Sequence, residues 1–135
     1  MNYEFRKSLE TAAALFDPDY PLRCQVFSFG WFKKRLIAVG RNQDKTHPLN
    51  LVNVLRFDTG KIHRDKGVCS ELNLILRLKK TTNIPFDKIT IVNVRLDKNK
   101  NVKMSRCCNS CQSLIRYIQP KALYYTNDLG IFEKY

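Results

Sequence analysis

Apolar residues near the start of the chain fall at Phe5, Leu9, Ala12, Ala13 and Phe16. Steps of three and four put them on one face of a helix over residues 3–16. The run "DPDYP" ends that helix. "RCQVFSFGWF" and "KRLIAVG" then read as two strands, joined by a short connection over residues 30–34 and followed by a glycine turn at "GRN". Residues 43–67 have apolar positions without a clean period and read as a loop with a short helical piece over 49–55. Helical spacing returns over 69–80, where Leu72, Ile75 and Leu76 recur and Leu74 and Leu78 widen the face. "DKITIVNVRL" predicts a strand, "DKNKNVKMSR" a polar connection, and "CNSCQSLIRYIQP" a helix stopped by Pro120. "KALYYTN", "NDLG" and "IFEKY" predict a strand, a turn and a last short strand.

The order is helix, strand, strand, loop, helix, strand, helix, strand, strand. A β-α-β-α-β run of this kind implies a mixed sheet with helices packed on it. The short "NDLG" turn makes the last strand antiparallel. In such sheets ligands sit beyond the carboxyl ends of strands, at the N-termini of the following helices.

A chain of 135 residues, 44% hydrophobic, is one domain over residues 1–135, large enough to bury a core. Its apolar runs, such as "ALYY" and "LNLIL", are far too short to span a bilayer. The first helix carries acidic residues among its apolar ones, unlike a secretory leader. A cytoplasmic protein is expected.

Charge narrows the partner class. The net charge is +12 and the isoelectric point near 9.7, with the basic excess spread along the chain. Such a domain attracts polyanions, so nucleic acid or a nucleotide phosphate leads, beside the plain reading of charge as a solubility device.

The chemistry lies in the cysteines. There are five of them, at Cys24, Cys69, Cys107, Cys108 and Cys111. An odd count with an adjacent pair and no leader favours metal binding or catalysis over disulfides. Cys108 and Cys111, one helical turn apart at a helix start, can both ligate one zinc ion, where the helix dipole favours thiolate. Cys69 would supply a third sulfur. Three protein ligands leave a fourth position for water, the pattern of catalytic zinc, which lowers the pKa of that water to roughly 7. Glu71, two residues past Cys69, is placed to shuttle a proton.

Cys69-Ser70-Glu71 followed by Cys108-Asn109-Ser110-Cys111 resembles the cytidine deaminase superfamily, whose pattern is H/C-x-E and then P-C-x-x-C. The resemblance implies a three-layer α/β/α fold with a five-stranded mixed sheet. It implies Cys69, Cys108 and Cys111 as zinc ligands and Glu71 as the general acid/base in hydrolytic conversion of cytosine to uracil. Asn42, in "VGRN", resembles the asparagine that many members use to hold the sugar, although Gly-x-Asn is also ordinary turn chemistry. Three features depart from the pattern. Cys107 stands where the proline is usual, 36 residues separate Glu71 from Cys108, and the first ligand is a cysteine. The last resembles free-cytidine and blasticidin-type enzymes, yet their asparagine-and-glutamate nucleoside motif is missing from "HPLNLVNVLRFDTGKIH". A single-stranded DNA or RNA substrate is therefore expected, with a free nucleoside or nucleotide, and the tetramers common to such enzymes, as the alternative.

Other readings stay open. His63 could close a structural zinc site with the three cysteines in a non-enzymatic nucleic-acid-binding module, and C-x-x-C at a helix start also suits thiol exchange. His47 reads as a loop residue, Cys24 as strand packing, and Cys107 as a stand-in for proline or a spare thiol. Trp31 and Tyr125 are candidates to stack on a base, a contact worth roughly 1–3 kcal/mol. Arg41, Lys45, Arg64, Lys66 and Arg106 are candidates for phosphate contacts.

Overall fold

A computed structural model describes residues 2–22, 24–43, 69–107 and 109–135, the side chains of 109 and 110 excepted. The expectations for residues 43–67 concern a stretch that, beyond Gln43, lies outside the described residues. So do Lys45, His47, His63, Arg64, Lys66 and Cys108.

Helix α1 (Tyr3–Leu15) starts where the Asn2 side chain accepts from the Glu4 and Phe5 backbone N–H groups at 2.7 and 3.3 Å, with Glu4 favourably placed in the first turn. Strands β1 (Gln25–Phe32) and β2 (Arg35–Arg41) form a hairpin. Its turn is only Lys33–Lys34, both at positive φ (49° and 63°), the tight form that matches strand twist. The expected connection over 30–34 is thus shorter, and both Gly30 and Gly40 lie inside strands.

Helix α2 (Ser70–Thr81), a 3₁₀ turn (Phe86–Lys88), strand β3 (Thr90–Leu96), the two-residue strand β4 (Val102–Lys103), helix α3 (Asn109–Ile118) and strands β5 (Ala122–Thr126) and β6 (Phe132–Lys134) complete the described order. The sheet runs β2-β1-β3-β5-β6, with β4 paired to β3 beyond the end of β5. Among the described residues only the β3–β5 pair is parallel, so the sheet is mixed, and β6 returns antiparallel as expected. Among the described residues six strands replace the five expected. The sixth, β4, sits in "DKNKNVKMSR", where two residues carry no period to read.

Strand alternation sorts two cores. Phe27, Phe29, Trp31, Val92, Val94 and Leu96 face α1 through Ala12, Leu9 and Phe5. Ile89, Ile91, Leu123 and Tyr125 face α2 and α3 through Leu74, Ile75, Leu78, Cys111 and Ile115. The result is a three-layer α/β/α domain.

Two details fix where α2 starts. Gly40 lets its N-terminal turn lie against β2, since an added Cβ would stand 2.6 Å from Leu74 Cβ and closer still to the Ser70 carbonyl oxygen and the Leu74 nitrogen. The Arg41 backbone N–H also donates to Asn73 Oδ1 at 2.9 Å. Across the sheet, β3 pairs with β5 through Asn93 and with β4 from Arg95 onward, so the chain parts beside the middle of β3. Ser105 closes that gap: its hydroxyl donates to the Asn93 carbonyl at 2.9 Å and accepts from the Thr126 N–H at 2.7 Å.

Candidate active site

Cys69 is the N-cap of α2, in extended conformation, and its carbonyl accepts the first helical bond from Asn73 N–H at 3.0 Å. Glu71 follows in the first turn and is buried. Cys111 lies in the first turn of α3 and is also buried. The two helices pack on one face of the sheet, and their N-termini meet beside the β3–β5 parting. Cys69 and Cys111, forty-two positions apart, come together with Glu71: their sulfurs and a Glu71 carboxylate oxygen all lie within 4.8 Å of one another.

The donor chemistry fits zinc. Two thiolates bound to one zinc at ~2.3 Å in a tetrahedron stand about 3.8 Å apart, within that span. The positive ends of two helix dipoles favour negative charge there. Cys108, the third ligand expected, lies outside the described residues, as does His63.

Glu71 is held from behind. Asn93, fully buried on β3, donates from Nδ2 to Glu71 Oε1 at 3.0 Å. Its Nδ2 also lies 3.4 Å from the Ser105 carbonyl and 3.7 Å from Cys107 Sγ. Ser28, the cross-strand partner of Asn93, has its hydroxyl 2.7 Å from Asn93 Oδ1 and 2.8 Å from Ser70 Oγ. Cys107 is buried in the same core, and Gln112 of α3 donates to its carbonyl at 2.8 Å. In the proline's place, Cys107 therefore lines the wall behind the carboxylate.

The remaining candidates separate. Arg106 is exposed beside Cys107, with its guanidinium 6.0 Å from the Tyr125 ring centre and 5.6 Å from that of Tyr135. Tyr125 packs on the same face as Cys111. Trp31 does not reach this face. It is buried against α1 and its indole N–H donates to Ser8 Oγ at 3.0 Å, so it is a core residue and not a stacking platform. Strand parity decides this: Ser28 and Gly30 point toward α2, and Trp31 points away.

Arg41 also turns to the α1 side. Its guanidinium lies over Tyr20 and Phe27 and donates to the Leu15 carbonyl and Gln25 Oε1, which corrects the expectation of a phosphate contact at the site. Asn42 ties β2 to β1: its side chain accepts from Val26 N–H at 2.9 Å and donates to the Cys24 carbonyl at 3.0 Å. Cys24, half-buried ahead of β1, has its sulfur 2.9 Å from Arg95 Nη2.

Sequence reasoning missed Ser28, Ser70, Asn93 and Ser105. A signal for Asn93 was present. In "ITIVNVRL" it shares parity with Ile89 and Ile91, so a polar amide occupies a core-facing position.

No family model matches the chain, and no curated protein matches it significantly. Among solved structures, the crystal structure of cytidine deaminase from Mycobacterium leprae is similar. It has a TM-score of 0.50 and 17% identity, over 99% of this chain and 93% of that one. No helix among the described residues is long and apolar enough to cross a membrane. The chain has the cytidine deaminase-like fold.

Proposed function

We propose that the protein is a zinc-dependent hydrolytic deaminase that converts cytosine to uracil in single-stranded DNA or RNA. The observation that carries this reading is the meeting of Cys69, Cys111 and the buried Glu71 carboxylate within 4.8 Å at the N-termini of two helices. Cys69 and Cys111, with Cys108, would hold the zinc. When bound, the ion supplies a Lewis acid that makes water nucleophilic at neutral pH.

The other roles belong to the chain. Glu71 takes a proton from the attacking water and delivers it to ring N3. The C4–O bond has then formed; Glu71 next takes the proton of the new C4 hydroxyl and passes it to the amino group, so that C4–O becomes the carbonyl, the C4–N bond breaks and ammonia leaves. Arg106, exposed beside Cys107 and lying against Tyr125 and Tyr135, is placed to meet a phosphate or a neighbouring base. The charge of +12 supports a polyanionic substrate.

A second reading, deamination of free cytidine or its nucleotide, has a specific support: the similar structure is titled a cytidine deaminase. One assay set divides these readings from a structural zinc module. Purified protein is incubated with single-stranded DNA, single-stranded RNA, deoxycytidine monophosphate and cytidine, and uracil and ammonia are scored. Wild type is expected to turn over the polynucleotides, and Glu71→Ala to keep zinc and lose turnover. Turnover of cytidine or its nucleotide alone would select the second reading. A zinc-loaded wild type inactive on all four would leave the structural module.

A further inference from the structure

We infer that Asn93 is a positioning residue that fixes the Glu71 carboxylate and couples the helix bearing Cys69 to the loop that leads to Cys108 and Cys111. The inference rests on the proton-carrying role proposed for Glu71, and it adds a residue from a third element of the fold.

Asn93 is the one amide in the aliphatic stretch Ile91–Val94, in the middle of the central strand and fully buried. A buried amide is unfavourable unless its donors and acceptors are matched. Every side-chain partner that Asn93 has in this structure belongs to the site or its supports. Its Nδ2 donates to Glu71 Oε1 at 3.0 Å and faces the Ser105 carbonyl and Cys107 Sγ. Its Oδ1 lies 2.7 Å from the Ser28 hydroxyl.

The Glu71 carboxylate sets the direction of the amide. Flipped, Asn93 would turn an acceptor toward an acceptor-only group, whereas the Ser28 hydroxyl can donate or accept and adapts to the orientation that Glu71 requires. The Ser28 hydroxyl lies within donating distance of both Asn93 Oδ1, at 2.7 Å, and Ser70 Oγ, at 2.8 Å, so Ser28 and Asn93 tie Ser70 and Glu71 of the first turn of α2 into one buried network.

The backbone reinforces the placement. Ser28 and Asn93 are direct partners in the β1–β3 register, so a rigid sheet holds both. The Asn93 carbonyl accepts from Ser105 Oγ at 2.9 Å, which anchors the segment running into Cys107. One residue thus touches the carboxylate of α2, the loop before α3, and the strand between them. A carboxylate on a short helical turn has rotamers that would carry it off target, and a misplacement of about 1 Å costs on the order of 10²-fold in rate.

The test compares Asn93→Leu, of similar size but without the amide, with Ser28→Ala, which removes only the hydroxyl that Asn93 Oδ1 accepts from. Both are made in the full-length, zinc-loaded protein. On whichever substrate wild type deaminates, Asn93→Leu should lower kcat about 10–100-fold while KM stays within about twofold, and Ser28→Ala should lower kcat less, in the same direction. Introduced into Glu71→Gln, Asn93→Leu should add no further loss, because it acts through a group already removed.

A second readout does not depend on turnover. The side-chain NH₂ resonances of Asn93, assigned by ¹⁵N NMR, should move in Glu71→Ala. Folded, zinc-loaded Asn93→Leu with wild-type kcat would overturn the inference, as would Asn93 resonances indifferent to Glu71→Ala. If Asn93→Leu fails to fold, Ser28→Ala with unchanged kcat and unchanged Asn93 resonances overturns it instead. Wild type inactive on every cytosine substrate would overturn the catalytic role of Glu71, and with it any positioning of catalysis. An Asn93–Glu71 contact still visible by NMR would distinguish that failure from the absence of the contact.

Discussion

Replacing Gly40 by alanine adds one methyl group at the point where α2 meets β2. That Cβ would stand 2.6 Å from Leu74 Cβ, with the Ser70 carbonyl oxygen and the Leu74 nitrogen nearer still. Carbon atoms rest at ~3.5–4.0 Å, so about 1 Å of room is missing. Two of the three obstacles are backbone atoms of the first turns of α2, which cannot rotate aside. The helix must retreat or β2 must bend. Overpacking of this kind costs roughly 1–3 kcal/mol, and the rigid obstacles place this case at the upper end. A smaller unfolded-state entropy returns about 0.4–1 kcal/mol, since Gly40 is not at positive φ, leaving a net destabilisation of about 2 kcal/mol.

At this chain length that loss lowers the melting temperature by roughly 6–10 °C. The displaced turn carries Cys69 and Glu71, so the deamination proposed above should fall by on the order of 10²-fold for a shift near 1 Å. Gly30→Ala is the matched control. There the nearest atoms are the flexible ends of Leu74 and Leu78, at 3.3–3.5 Å, and the change should alter the melting temperature by no more than about 3 °C. Thermal melts followed by circular dichroism, zinc content and turnover are measured on both variants. Wild-type stability and turnover in Gly40→Ala would refute the claim that close approach of β2 positions the site.

Three further outcomes are expected. Cys111→Ser should lower bound zinc measured by mass spectrometry, and a chelator should then shift its melting temperature less than that of wild type, because zinc stabilises only the state that binds it. Trp31→Phe should destabilise by about 1–3 kcal/mol in a urea melt, by leaving Ser8 without its indole donor, and should not change KM. The Asp97 carboxyl is held below its usual range, foremost by the Asn101 backbone N–H. Its contribution to stability is therefore present above the unfolded pKa, near ~3.9, and lost as pH falls through the lower folded value. Melting curves between pH 5 and pH 2 should show a smaller acid-induced drop in Asp97→Ala than in wild type.

Local pattern in the sequence was enough to predict the helices over Tyr3–Leu15, Ser70–Thr81 and Asn109–Ile118, because one buried stripe at period 3.6 is visible in a short window. Their order with the strands implied a mixed sheet between helices. The spacing of Cys69, Glu71, Cys108 and Cys111 was enough to nominate a metal-and-carboxylate site, since each pair sits within one helical turn. The short strand β4 left no such trace, and it depends on pairing with the end of β3.

Tertiary structure decided which side chains share a face and which elements touch, because these depend on register and packing between residues distant in sequence. Trp31 and Arg41 are near the first hairpin in sequence but turn to the α1 side, while Ser28, three positions before Trp31, turns to the site. Asn93 is 22 positions from Glu71 and 65 from Ser28, yet strand pairing makes it the neighbour of both. Gly40 shows the same limit: its sequence context reads as a turn, and only the approach of α2 reveals that the missing Cβ is what the site requires. Sequence alone determined the chemical groups available, through local spacing; contacts across the sheet determined which of them face one another.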